Sequence, residues 1–262
     1  MVMSYEIFYN NKVLSAQERI EFCKMSDEVL SSFSNSIDGM HDIAINIASS
    51  ESEGFKRIMN DLISIGTFIS YSYCDIIVLT KSFIISTNPY EKSFLRGKLK
   101  VQLNESFKKL YGFNEKAFQA SYCARLDNIV AMFPNYRAEY DSILSQIDAI
   151  SKQHTWWKDE RNAEVHLDIE MLYKTRHEEI NESKVVMETI PLIEFFNRLN
   201  SFMNEITLAL ITHIKKLLNI EGGCVKTMHP LILISFFKSI RLCGQICIIE
   251  ADIFQTDINS PI

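Results

Sequence analysis

Apolar residues recur every three or four positions along most of this chain, the spacing of helices with one buried side. In "LSAQE" (14–18), Ser15 and Glu18 make a capping box that starts a helix running to about Ser32, and a short second helix is predicted over 37–49. A long apolar helix is expected over 53–86, where "TNP" (87–89) stops it. Pro89 opens the next helix, over 90–111 and ending near Gly112, and Asn114 caps a segment to about Met132. Pro134 and Asn135 begin a helix over 135–152, in which Tyr140, Ile143, Leu144, Ile147 and Ile150 fall at helical spacing.

After the tryptophan pair Trp156–Trp157 a charged helix is expected, then a polar stretch, "YKTRHEEINESK" (173–184), that reads as a loop. Pro191 sits in the first turn of a long helix over 191–218, and "EGG" (221–223) separates it from a last apolar helix at about 229–252. No alternating strand pattern appears. The predicted fold is all-α, an antiparallel helical bundle with four long core helices (53–86, 90–111, 135–152 and 191–218) and extra N- and C-terminal helices. The chain reads as one helical domain, with the core at about 53–218, an N-terminal extension over 1–50 and a C-terminal helix and tail over 221–262.

Composition sharpens this picture. Only 8 Gly and 5 Pro in 262 residues favour long helices, and 47% hydrophobic residues supply a large core. Segments 62–86 and 229–250 have the length of membrane spans, but Asp75 and Lys81 interrupt the first, and Lys238 and Arg241 the second. A charge near mid-span costs about 2.5–3.5 kcal/mol on insertion scales, so both are read as buried bundle helices and no membrane partner is expected. The six cysteines form no C-x-x-C pair and most have apolar neighbours, and "MVMSYEIFYNNK" lacks the order of a signal peptide. The expected compartment is the cytoplasm. A net charge of −6 excludes a general salt-driven nucleic-acid binder, so any RNA contact must come from a local patch.

The stretch "WWKDERNAEVHLD" (156–168) concentrates the candidate chemistry. On a helix, Asn162 and His166 are four apart and share a face, so the amide is placed to orient the imidazole. Arg161 is five residues from His166, which turns it away by about 140° at 3.6 residues per turn, although its long side chain can still converge. A guanidinium can grip a phosphate in bidentate fashion and stabilise a pentacoordinate transition state. A histidine titrating near neutrality can take the proton of a ribose 2′-OH or give one to the leaving oxygen. The same residues also suit an ordinary solvated helix face with local ion pairs.

"RNAEVH", an Arg followed by Asn and, after four intervening residues, by His, resembles the signature of the higher eukaryote and prokaryote nucleotide-binding (HEPN) superfamily. The resemblance implies a four-helix antiparallel core, a homodimer with two motifs facing one another, and catalytic roles for Arg161, Asn162 and His166. It implies a metal-independent endoribonuclease of a toxin or phage-defence type with an antitoxin or regulatory partner. The alternative it leaves open is a bundle that binds RNA, a nucleotide or a partner without cutting. An unrelated helical interaction protein is the third reading. Asp159, Glu160, Glu164 and Asp168 crowd the motif and would repel an RNA backbone.

Supporting candidates lie elsewhere. Trp157 can stack a base or anchor packing. Arg96, Lys98 and Lys100 in "EKSFLRGKLK", with Lys108 and Lys109 beyond, form the most basic stretch and a candidate phosphate track. Asp75 and Glu105 are carboxylates among apolar neighbours, each a candidate to fix the arginine or another basic residue. Neither G-x-S-x-G nor a P-loop occurs, and no Cys/His set has zinc spacing, so no metal or cofactor is expected. His154, His177 and His213 are read as incidental.

Overall fold

The computed structural model describes residues 14–48, 53–112, 114–153, 157–166, 168–177 and 180–217. Among these the fold is all-α, with no strand. The expected helix at 229–252 lies outside the described residues.

Helix α1 spans Ala16–Ala48 and α2 spans Glu53–Ile85. The capping box forms as expected: the Ser15 backbone N–H donates to Glu18 at 2.6 Å, and the Glu18 N–H donates to Ser15 Oγ at 3.3 Å. The predicted break near Ser32 does not occur. Phe33, Ile37, Met40 and Ala44 keep the apolar spacing across it and pack on the core, so one continuous helix buries one continuous stripe. That stripe lies along α2, where Phe33 stacks on Tyr73 at 4.5 Å and a Cβ on Gly66 would stand 3.0 Å from the Met40 sulfur. The described part of the segment expected as an extension, residues 14–48, thus packs on the main core.

Helix α3, Pro89–Leu110, starts where Asn88 Oδ1 accepts the N–H groups of Tyr90 and Glu91. It ends at Gly112, whose φ of 84° few other residues adopt, and where a Cβ would stand 2.7 Å from the Ala117 backbone. The segment after it is two helices rather than one, α4 at Glu115–Gln119 and α5 at Tyr122–Val130. Ser121 restarts the helix by accepting the Ala124 N–H, which is why the pattern to Met132 divides. A 3-10 turn at Pro134–Tyr136 leads into α6, Arg137–Gln153, with Tyr140, Ile143 and Ile147 fully buried.

Helix α7 is Trp157–His166, α8 Ile169–His177, α9 Glu182–Met187 and α10 Ile190–Leu217. The expected loop over 173–184 is therefore largely helical. Asp168 and Asn181 cap α8 and α9 by accepting the N–H groups of Met171 and Lys184. The stretch reads as loop because α8 is a surface helix with few buried positions.

Helix α2 packs against α1, α3, α5 and α10, and α10 also meets α6. The other flank of α3 is covered by α7 and α8. Of the described helices, α2 is also long and apolar enough to cross a membrane, and half of its most apolar stretch is buried within the protein.

One ion cluster ties distant elements together. Glu182, at the start of α9, accepts from Arg19 of α1 at 2.7 and 2.8 Å, from Lys92 of α3, and from the Leu14 N–H at 3.3 Å. Arg19 also donates to the carbonyl of Ile84, at the end of α2.

Candidate functional site

The α7–α3 seam organises the motif. Arg161 points into it: its Nε donates to Glu105 Oε1 at 2.7 Å and Nη2 pairs with the same oxygen at 2.5 Å, while Nη1 donates to Asn162 Oδ1 at 3.0 Å. These bonds use three of the five N–H groups of a guanidinium. Glu105 comes from the last two turns of α3 and is partly exposed, so the cluster opens on solvent. Of the two carboxylates weighed as the arginine's partner, Glu105 has that role.

Asp75 does not. It is exposed rather than buried, and accepts from Gln102 of α3 at 3.2 Å. Partial removal from water by its neighbours pushes its carboxyl above the usual range. Its apolar sequence context misleads because α2 keeps an exposed stripe, Tyr71, Asp75 and Val78, along an otherwise buried helix.

His166 ends α7 and faces solvent. The Asn162 amide oxygen accepts from Arg161, so it serves the arginine rather than orienting the imidazole. The structure therefore gathers Arg161, Asn162 and Glu105 in one place and leaves His166 on the outer side of the same helix.

The acidic surroundings change character. Glu164 is 7% exposed and bound by Arg176 of α8 at 3.3 Å. It lies over Gly97 of α3, where an added Cβ would stand 2.2 Å from its Oε1, so a larger residue there would push the Glu164 side chain aside. Asp168 is spent as the α8 cap. Glu164 is thus paired, while Asp168 stays exposed and keeps its negative charge beside the motif. The side chains of Trp157, Asp159 and Glu160 lie outside the described residues, as do His154, Trp156 and the side chains of His177 and His213.

The basic stretch of α3 divides in two. Lys100 is 3% exposed and paired with Glu188, which removes it from any phosphate track. Arg96 and Lys98 are both half-buried, Lys98 with its Nζ 5.1 Å from the centre of the Phe94 ring. Sequence reasoning missed what flanks Lys98: exposed Tyr90 and Phe94, with Arg176 over both rings at 5.3 and 5.8 Å. The spacing Tyr90, Phe94, Lys98 was legible in "YEKSFLRGK" as one helix face.

A second concavity of about 340 Å³ lies between the end of α3, α4 and α6, lined by Tyr111, Asn114, Phe118, Leu144 and Asp148. Among the described residues no group of three or more His, Cys, Asp or Glu could hold a metal ion. No family model, curated protein or solved structure matches this chain.

Proposed function

We propose that this protein is a HEPN-type, metal-independent endoribonuclease that acts as a homodimer in a toxin or defence setting in the cytoplasm. The observation that carries the reading is the solvent-open cluster of Arg161, Glu105 and Asn162 on a helix that also presents His166. Glu105 fixes the guanidinium from a neighbouring helix and leaves two of its N–H groups for a phosphate. Such prior orientation is what electrostatic stabilisation of a transition state requires.

In the proposed reaction a neutral His166 takes the proton of a ribose 2′-OH. The 2′ oxygen then bonds to phosphorus as the bond to the 5′ oxygen breaks, and a protonated imidazole supplies the leaving oxygen's proton. Arg161 neutralises the added charge on the phosphate. Because Arg161 turns toward α3 and His166 away from it, the reading pairs the arginine of one copy with the histidine of another.

The test is cleavage of end-labelled single-stranded RNA with EDTA present. The wild type should leave a 2′,3′-cyclic phosphate and a 5′-OH, and should spare DNA, which lacks the attacking 2′-OH. Arg161→Ala and His166→Ala should each lower the rate by about 100-fold or more, the usual contribution of a positioned acid, base or oxyanion donor. Activity that disappears with chelator, or survives in His166→Ala, ends the mechanism.

A second reading, a HEPN-type module that binds RNA, a nucleotide or a regulatory partner without cutting, is favoured by the engagement of Arg161 with Glu105 and Asn162. It predicts RNA binding with no cleavage under any condition.

A further inference from the structure

Three large side chains that burial would stabilise stand in water on one side of the α3–α8 pair. Tyr90 is 70% exposed, Phe94 39% and Tyr173 67%. Burying one such ring is worth roughly 1.5–3 kcal/mol, so clustered exposed rings mark a binding surface. Two cations are set among them. Lys98 lies over Phe94, and Arg176 lies over Tyr90 and Phe94. Arg176 is paired with Glu164 at 3.3 Å, so Lys98 is the cation of the strip whose charge no described carboxylate cancels. The surface continues through Ile169, 80% exposed at the start of α8, toward His166 at the end of α7.

We infer that this strip is a stacking platform for single-stranded RNA, which leads the strand toward His166. Rings offer their faces to any base, and Lys98 supplies charge for a connecting phosphate. A duplex would not fit this chemistry, since its bases are already stacked on each other. The choice of RNA over DNA rests on the function proposed above; the platform itself does not.

The platform also accounts for how an acidic protein holds an anionic strand. With Lys98 as the one uncancelled cation among the strip's described residues, affinity comes mainly from stacking and its salt dependence is shallow. The slope of log K against log salt should be near −0.7, the value of about one phosphate on a single strand.

The test is fluorescence anisotropy with a 2′-O-methyl RNA 12-mer, which lacks the 2′-OH needed for cleavage, and with the same strand annealed to its complement. The wild type should bind the single strand at least tenfold more tightly than the duplex. Tyr90→Ala and Tyr173→Ala should each weaken binding by roughly ten- to a hundredfold, the range of one lost base–aromatic stack. Tyr90→Trp should retain it, which a fold defect would not allow. Lys98→Gln should bring the salt slope close to zero. Equal binding of duplex and single strand, aromatic variants that bind like the wild type, or no binding of any oligonucleotide would each overturn the platform. The two proposals fail separately. A platform that binds the 12-mer while unmodified RNA is never cut refutes the nuclease alone, and cutting that is indifferent to Tyr90 and Tyr173 refutes the platform alone.

Discussion

Glu182 holds Arg19 and Lys92 on one carboxylate whose side chain is 4% exposed. Burial alone would raise its pKa, but the hydrogen bonds from Arg19, Lys92 and the Leu14 N–H prevail and hold it below the usual carboxylate range. A group depressed in the folded state stabilises above its unfolded pKa, about 4.3 for Glu, and that stability is lost as pH falls through the lower folded value. Glu182→Gln should therefore destabilise the protein at pH 7 by about 1–3 kcal/mol, the cost of leaving the half-buried Arg19 and Lys92 without their charged acceptor. Urea unfolding at a series of pH values should show the gap between variant and wild type closing below about pH 4. The same physics limits what single residues disclose in sequence. Glu105 was legible as a partner for an arginine because a carboxylate among apolar residues needs one. Asp75 has the same sequence context and lies in water, while Lys100 sits in a basic run and is buried against Glu188. Composition records neighbours along the chain, and exposure depends on neighbours across it.

At the scale of elements, helix starts were the most legible features, because Ser15 and Asn114 each announce a cap and Pro89 announces a first turn. What failed were continuity at Ser32–Ile37 and division at Ser121, where packing and a local cap respectively decide. The close approach of α7 to α3 left only one trace in sequence, Gly97, and its meaning depends on a residue 67 positions later. Gly97→Ala should gain about 1 kcal/mol of helix propensity and lose about 1–3 kcal/mol to overpacking against Glu164. The net effect is modest destabilisation. Because the three nearest atoms all belong to the Glu164 side chain, a double-mutant cycle with Glu164→Ala should be non-additive by at least about 0.5 kcal/mol. Additive melting changes across the four proteins would mean that α7 does not lie on α3 at this point.

For the whole molecule, the all-α architecture followed from the spacing of apolar residues and the scarcity of Gly and Pro, and α1 joined the core that the pattern assigned to later helices. Assembly is the larger question for the proposed chemistry, since Arg161 and His166 face different ways on α7. Sedimentation at about ten micromolar, a range that populates weak dimers, should show a dimer, and mixing Arg161→Ala with His166→Ala protein should restore some cleavage through sites that keep one intact half from each copy. A strict monomer, or mixtures as dead as their parents, would remove the paired site. The clamp at Glu182 has a consequence for how the protein is made. Arg19 and Glu182 are 163 residues apart, and a chain synthesised from its N-terminus exposes the arginine long before the carboxylate exists. Until residue 182 leaves the ribosome, the first turn of α1 has nothing to fasten it to α3 and α9. An interrupted nascent chain therefore holds α1 by α2 alone, through the buried stripe and the bond from Arg19 to Ile84, and the finished one adds the tie to α3 and α9.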